Sequence, residues 1–229
     1  MKTKPEILFE DNHLLIINKK AGELAQGDAT GDIPLIDSLK EFIKIRDQKP
    51  GNVFLGLVHR LDRPTSGILV FAKTGKALSR MNDLFKTRDV KKAYWAIVEG
   101  KPEKDFERLE QYLRKNQKNN KVTVFTKPTP EAKLAILEYK LLGNLDNYSL
   151  LEVDLFTGRS HQIRSQLSFI GNPIKGDLKY GAKRSNPNGS ISLHARKINF
   201  IHPVKKEEIT IIAPPPVDKI WQDCLKFAQ

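Results

Sequence analysis

The pattern of apolar and polar positions along the chain predicts more strands than helices. Strands are predicted where apolar residues alternate or run together between turn residues, over 7–9, 14–18, 68–73, 93–98, 121–126, 133–142, 148–155, 191–200 and 208–212. Helices are predicted where apolar residues recur at helical spacing, over 35–46, 74–85 (with Thr74 as the cap), 160–170 and 217–228. Residues 101–120 are polar and loosely patterned, and no element is predicted there.

The order of these elements predicts the fold class. Strands and helices do not alternate regularly, which favours an α+β protein with a mixed, largely antiparallel central sheet and helices packed on it. We expect two lobes flanking a cleft. The chain contains no internal repeat, low-complexity tail or long linker, so residues 1–229 are predicted to form a single domain.

The charge balance indicates the kind of partner. Lysine and arginine together number 39 against 27 acidic residues, which gives a net charge of +12 and a pI near 9.6. Such an excess favours polyanions, because phosphates bound by cations release their counterions. The alternative that the positive charge serves only solubility stays open. A membrane surface fits less well, because no basic amphipathic helix carries bulky aromatic anchors. Nucleic acid is the favoured partner.

Several function classes find no support in the sequence. No apolar stretch approaches the length of a membrane span, and none of signal-peptide length follows the N-terminus. Cys224 is the single cysteine, and no His or Asn motif surrounds it, which makes it a poor nucleophile candidate. The histidines lack zinc-site spacing, so packing or hydrogen-bonding roles are expected for them. We expect a cytoplasmic protein without a metal.

The most informative segment is 59–67, His-Arg-Leu-Asp-Arg-Pro-Thr-Ser-Gly. It places one carboxylate, Asp62, between Arg60 and Arg63, directly before an all-apolar run over 68–72 that reads as a strand buried on both faces. Asp62 is therefore presented on a loop at the edge of a rigid sheet, and the flanking positive charge favours its ionised form. Such a carboxylate is a nucleophile, a base or half of an ion pair.

The same segment, continued by Ile-Leu-Val-Phe-Ala-Lys-Thr over 68–74, resembles the signature of the RluA-type pseudouridine synthases. Further segments that resemble this family are 7–19, 155–164, 171–181, 193–203 and 213–214. Lys20 stands where the family usually has proline, and Gln166 replaces a histidine common there. Because the resemblance begins near the N-terminus, we expect the small S4-like RNA-binding domain that many relatives carry in front to be absent.

The resemblance implies roles for residues in the matching motifs. It implies that Asp62 is the catalytic residue, that Tyr94 is the active-site tyrosine, and that Arg164 is the basic residue that pairs with Asp62. From the residues alone, a tyrosine in an alternating strand is more often core, and Arg164 could be a surface arginine on an amphipathic helix. Trp95 alternates to the opposite face of its strand and is expected to be packing.

The remaining predicted site residues concern the RNA. Arg60 resembles the arginine that relatives insert when the target nucleotide leaves its stack, and Arg63 and Arg159 are expected to contact phosphate, as are the lysines near Tyr94. Ile163 and Leu167 are expected to form an apolar wall beside the base. The basic stretch 114–121 is either a solvated loop tip or a further phosphate contact.

The resemblance implies an isomerase that uses no cofactor and converts uridine to pseudouridine in ribosomal or transfer RNA, with a stem-loop as substrate. We expect a monomer with no membrane association. Two alternatives stay open. One is a catalytically silent RNA-binding protein on the same scaffold, and the other is a nucleosidase or base glycosylase that releases uracil.

Overall fold

A computed structural model of the chain describes residues 4–27 and 31–227. Its internal contacts divide the chain into two compact units, one of residues 1–90 with 197–214 and one of residues 91–196 with 215–229. In chain order the elements are β1 Ile7–Glu10, β2 Leu14–Lys19, α1 Leu35–Arg46, β3 Gly56–Leu57, β4 Ser66–Ala72, α2 Gly75–Thr87, β5 Lys91–Glu99, β6 Phe106–Asn116, β7 Lys121–Phe125, β8 Lys133–Asn144, β9 Tyr148–Leu155, α3 Gln162–Phe169, the 3₁₀ turn η1 Leu178–Tyr180, β10 Leu193–Ile201, β11 Glu208–Ile212 and α4 Lys219–Leu225.

The fold class is the predicted one. The chain is α+β, with a mixed, largely antiparallel sheet and, among the described residues, four α-helices. In the first unit β2 pairs with both β1 and β4, and the second half of β10 pairs with β11, all antiparallel. In the second unit the antiparallel order is β5, β9, β8, β6, β7.

Burial of apolar side chains explains the elements of the first unit. Every residue of β4 is buried, as the continuous apolar run predicted, and residues 14–17 of β2 are buried beside it. Helix α1 buries Leu35, Leu39 and Ile43 along one face. Helix α2 is capped by Thr74, whose Oγ1 accepts the Ala77 amide at 3.1 Å. Of these elements, β4 begins four residues after Asp62 and anchors the segment that holds it.

The second unit contains two clusters of buried residues. One consists of Trp95, Ile97, Leu150, Trp221 and Cys224. The other consists of Leu113, Val122, Ala135 and Tyr180. The second cluster joins the β6–β7 hairpin to the η1 turn, because Leu113 and Val122 lie in the hairpin and Tyr180 lies in the turn.

The chief difference from the sequence prediction is β6, which occupies residues that we expected to lack an element. Leu109, Gln111 and Leu113 are its buried positions, with more exposed residues between them. The period of a half-buried strand is therefore present, but a glutamine occupies one inward position and breaks the apolar alternation. Gln111 is satisfied because Gln166 donates to its side-chain oxygen at 3.1 Å.

Other differences concern element ends. Helix α3 begins at Gln162 rather than at 160, because His161 has a left-handed backbone conformation with φ of 49°. Helix α4 begins at Lys219, after Asp218 accepts the Trp221 amide at 3.1 Å. It ends at Leu225, before the predicted end at 228, and residue 228 itself lies outside the described residues.

Candidate active site

Asp62 lies in a tight turn that leads directly into β4. Its backbone carbonyl accepts the amide of Thr65 at 3.0 Å, and the side chain is half-buried. Because the next residue, Ser66, begins a strand buried along its whole length, the turn has a rigid foundation on one side. The prediction that Asp62 lies on a loop directly before a buried strand is therefore confirmed.

A buried lysine holds the other side of this turn. The ammonium of Lys19, at the end of β2, donates to the backbone carbonyls of Lys20 at 2.9 Å, Arg63 at 3.2 Å and Thr65 at 2.8 Å. Its side chain is fully buried. Two of the three acceptors are in the Asp62 turn, so Lys19 fixes the path of the backbone that presents the carboxylate.

The environment of Lys19 opposes its charge. Burial lowers the pKa of Lys19 to about 8, although the nearby carboxylates of Glu23 and Asp62 favour the charged form. Sequence reasoning missed this residue, because a lysine at the end of an apolar strand looks like the point where the strand reaches solvent. Lys19 ends the family-like segment 7–19 and faces the small residue Gly67 in the β2–β4 register, but neither feature by itself indicates a buried ammonium.

We expect the pH dependence of stability to reveal the buried ammonium. A lysine whose pKa is depressed from 10.5 to about 8 binds fewer protons in the folded than in the unfolded chain over that interval. The difference in free energy of unfolding between the wild type and Lys19→Met should therefore rise by up to roughly 3 kcal/mol between about pH 8 and 10.5. Below pH 8 this difference should be constant. Urea denaturation of both proteins at a series of pH values measures this difference. A difference that stays constant across the interval would contradict the assignment.

The arginines on either side of Asp62 differ in their surroundings. Arg60 is exposed. Arg63 donates through Nε to the Gly22 carbonyl at 3.1 Å and pairs through Nη2 with Asp32 at 2.6 Å. Since the Arg63 side chain is 45% exposed, this pair contributes little to stability and leaves its charge close to solvent.

Tyr94 lies in the middle of β5, opposite Val153 of β9, and is 8% exposed. Its neighbour Trp95 is buried and donates through Nε1 to Glu152 at 3.3 Å. The Arg196 guanidinium lies 4.2 Å from the centre of the Trp95 ring. The prediction that Trp95 is packing is confirmed.

Arg164 is held by a carboxylate that the sequence analysis assigned no role. Its Nε and Nη2 donate to Oδ2 and Oδ1 of Asp177 at 2.6 and 2.9 Å. Both side chains are buried, with exposures of 7% and 2%. The guanidinium is also 5.1 Å from the centre of the Tyr180 ring. Arg164 is therefore not a surface arginine, although its residue type and spacing alone permitted that interpretation.

The segment before Arg164 is tied to β8. Gln162 accepts hydrogen bonds from the Thr157 hydroxyl at 2.8 Å and the Arg159 amide at 3.0 Å, and it donates to the Ile136 carbonyl at 3.1 Å. Arg159 also donates through Nε to the carbonyl of Leu134 at 3.0 Å. These bonds fix the loop from which α3 starts.

The two apolar residues of α3 that were predicted to lie beside the base are buried: Ile163 is 5% exposed and Leu167 is completely covered. Their contact with a base stays a prediction. Asp62, Arg60 and Arg63 belong to the first unit, and the remaining predicted site residues belong to the second.

His59 and Cys224 have packing or hydrogen-bonding contacts rather than reactive surroundings. His59 accepts the Val70 amide at 3.3 Å and stacks on Phe85, with ring centres 5.0 Å apart. Burial raises the pKa of the Cys224 thiol to about 11, which disfavours the reactive thiolate. Over residues 4–27 and 31–227, no group of three His, Cys, Asp or Glu residues is arranged to hold a metal ion. Within the same ranges, no helix has both the length and the apolar character needed to cross a membrane.

Comparison with known proteins defines the family. The family model for RNA pseudouridylate synthase matches residues 13–169. Ribosomal large subunit pseudouridine synthase C of Vibrio cholerae is 34% identical over 214 residues, which cover 91% of this chain and 65% of the relative. Ribosomal large subunit pseudouridine synthase D of Zymomonas mobilis is 33% identical over 223 residues, which cover 93% of this chain and 70% of the relative.

A solved structure agrees with these matches. The chain titled human RNA Pseudouridylate Synthase Domain Containing 4 superimposes with a TM-score of 0.79 at 26% identity, over 97% of this chain and 92% of that one. This chain belongs to the RNA pseudouridylate synthase family, as its RluA-type motifs predicted. It spans about two thirds of the length of the curated relatives named here.

Proposed function

We propose that this protein is an RNA pseudouridine synthase, an isomerase in which Asp62 is the catalytic carboxylate. The observation that carries the proposal is the Asp62 turn, which β4 supports from one side and the Lys19 ammonium fixes from the other. A rigid turn of this kind holds a carboxylate in one place, as a nucleophile or base requires. The location of the turn inside the family motif supports the same role.

The reaction needs no group beyond the chain and the RNA. The bond between C1′ of the ribose and N1 of uracil breaks, the uracil turns, and C5 bonds to C1′. C5 then loses its proton and N1 gains one, so that the atoms balance. Asp62 acts near the glycosidic carbon, either as a nucleophile or as a base. The Tyr94 phenol accepts or relays the proton that C5 loses. Arg164 is the basic partner that orients the Asp62 carboxylate.

The RNA is bound through its phosphates and through an extruded uridine. Arg60 fills the space that the target base leaves, while Arg63 and Arg159 contact phosphate. The net charge of +12 supports this mode of binding. Relatives named for the large ribosomal subunit support ribosomal RNA as the substrate class, with transfer RNA as the alternative. We place the protein in the cytoplasm as a monomer.

Tritium release tests the activity. Incubation with RNA that carries tritium at C5 of uridine should release tritium to water, because C5 must lose its proton when it bonds to C1′. RNA that is bound without release would instead favour the silent RNA-binding protein. Release of free uracil would favour a base glycosylase.

We expect a short stem-loop to suffice as substrate, and Arg60 to matter most when the target base is stacked. Extrusion of a base costs a few kcal/mol, so Arg60→Ala should slow single-turnover modification of a structured stem-loop at least ~10-fold. The same variant should act at nearly the wild-type rate on an RNA whose target is already unstacked. Single-turnover rates on the two RNAs measure this difference.

Lys76→Ala serves as the control, since it removes one positive charge from an exposed position of α2 in the same unit. It should affect both RNAs equally and weakly. If Arg60→Ala also slows both RNAs equally, Arg60 acts by charge alone and base extrusion is not its role. An inert stem-loop beside reactive ribosomal subunits would contradict local recognition.

A further inference from the structure

The Arg164 guanidinium is confined in its own plane by Asp177. Two parallel hydrogen bonds, at 2.6 and 2.9 Å, join Nε and Nη2 to the two carboxylate oxygens. A bidentate pair of this kind fixes the plane of the guanidinium as well as its position. The pair is buried, so water does not compete for these bonds.

The ring of Tyr180 contacts the same group. The carbon atom of the guanidinium is 5.1 Å from the ring centre, within the range of a cation–π interaction. This ring is itself fixed at its far end. The Tyr180 hydroxyl oxygen accepts the buried amide of Val122 at 2.9 Å and lies 2.8 Å from His161 Nδ1. The amide and the imidazole together hold the hydroxyl from two elements, and the imidazole tautomer decides which group donates in the second bond.

The backbone joins these two restraints into one turn. Asp177 and Tyr180 are the first and last residues of a hydrogen-bonded turn, in which the Tyr180 amide donates to the Asp177 carbonyl at 3.0 Å. The Ser168 hydroxyl, on α3, donates to the Tyr180 carbonyl at 2.6 Å. Gly176, before the turn, has φ of 89°, and a Cβ there would lie 2.7 Å from the Ser190 carbonyl oxygen. The turn therefore has a fixed shape and a fixed attachment to the helix that carries Arg164.

We propose that Asp177 and Tyr180 are positioning residues, which together hold Arg164 in the single orientation that the isomerisation requires. This inference rests on the proposed function, in which Arg164 orients Asp62. Asp177 supplies the opposite charge, and Tyr180 supplies a ring whose location is set by the β6–β7 hairpin and by the start of α3. Neither residue takes part in the chemistry itself.

Tyr180→Phe is the informative variant, because it keeps the ring and removes only the hydroxyl that fixes the ring. We expect its single-turnover rate of tritium release to fall about 10-fold, since small misplacements of a positioned group are costly in catalysis. Its dissociation constant for RNA should stay within about 2-fold of the wild type, because Tyr180 is buried and contributes no charge.

Tyr139→Phe is the matched control. Tyr139 is a buried tyrosine of the same unit, and its hydroxyl donates to Glu107 at 3.3 Å. Tyr180→Phe loses both contacts of its phenol oxygen and Tyr139→Phe loses the bond to Glu107, so both variants should unfold at lower urea concentrations than the wild type. The rates are compared without urea, where both variants are folded. A role in stability alone predicts equal rates for the two variants. The positioning role predicts that only Tyr180→Phe slows the reaction.

A second experiment asks whether Tyr180 acts through Arg164. Tyr180→Phe is combined with Arg164→Lys, which keeps a cation beside Asp177 but loses the planar fork. The slowing by Tyr180→Phe should shrink to less than about 2-fold in the Arg164→Lys background, since there is no longer a guanidinium to orient. A full 10-fold effect in both backgrounds would overturn the proposal.

The outcomes separate this inference from the function on which it rests. A wild-type protein that releases no tritium refutes the proposed function, and the inference falls with it. An active wild type, together with equal rates for Tyr180→Phe and Tyr139→Phe, leaves the function standing and refutes the positioning role alone.

Discussion

Asp62→Asn is expected to abolish isomerisation while the protein remains folded and able to bind RNA. The amide has almost the same size as the carboxylate, but it is neither a useful nucleophile nor a base. The described contacts that fix the turn use backbone carbonyls at residues 62, 63 and 65, so the substitution leaves them in place. The single-turnover rate should fall at least about 10³-fold, as when the central group of a catalytic constellation is removed.

Asp37→Asn is the control for this prediction. Asp37 is an exposed residue of α1 in the same unit, paired only loosely with Lys40 at 3.5 Å. The same chemical change there should leave the rate unchanged. Tritium release near the wild-type rate from Asp62→Asn would contradict the assignment of the catalytic carboxylate. A loss of RNA affinity that matches the loss of rate would assign Asp62 to binding.

Arg164→Ala is expected to cause the largest loss of stability among the variants considered. It leaves the Asp177 carboxylate, only 2% exposed, without the guanidinium that neutralises it. Removal of one member of a buried ion pair costs about 3–5 kcal/mol, because the remaining charge stays out of water. The free energy of unfolding from urea denaturation at pH 7 measures the loss.

Arg108→Ala provides the comparison, because Arg108 also binds carboxylates through two of its nitrogens. It donates to Glu110 at 2.7 Å and to Glu138 at 2.8 Å, but its side chain is 43% exposed. Solvent-exposed ion pairs contribute little to stability, so this variant should unfold almost like the wild type. Equal losses of unfolding free energy in Arg164→Ala and Arg108→Ala would contradict the explanation that burial makes the Arg164–Asp177 pair important for stability.

The sequence predicted those parts of the fold that depend on local pattern. Helix α1 begins and ends where its apolar spacing predicted, and the run over 68–72 is buried throughout as expected. Strand β6 was missed because its inward position 111 holds a glutamine whose partner, Gln166, is distant in sequence. A polar residue that is satisfied across the fold cannot be distinguished from an exposed one by periodicity.

The same limit applies to the candidate site. Asp62, Tyr94 and Arg164 could be selected because they lie in motifs of the family. Asp177 lies 13 residues after Arg164, and its contact with Arg164 depends on the turn between α3 and η1. Lys19 reaches the Asp62 turn because β2 and β4 pair, which requires the sheet. Lys19 and Asp177 also lie in segments that resemble the family, over 7–19 and 171–181, but the contacts that give them a role form only when the chain folds.

The most direct test of the central claim is mass spectrometry of RNA after incubation with the wild type and with Asp62→Asn. The account predicts that the wild type leaves the mass of the RNA unchanged, while digestion to nucleosides yields an isomer of uridine linked through C5. The Asp62→Asn sample should contain uridine alone. A decrease in RNA mass with free uracil in solution, or an isomer formed equally by both proteins, would contradict the account.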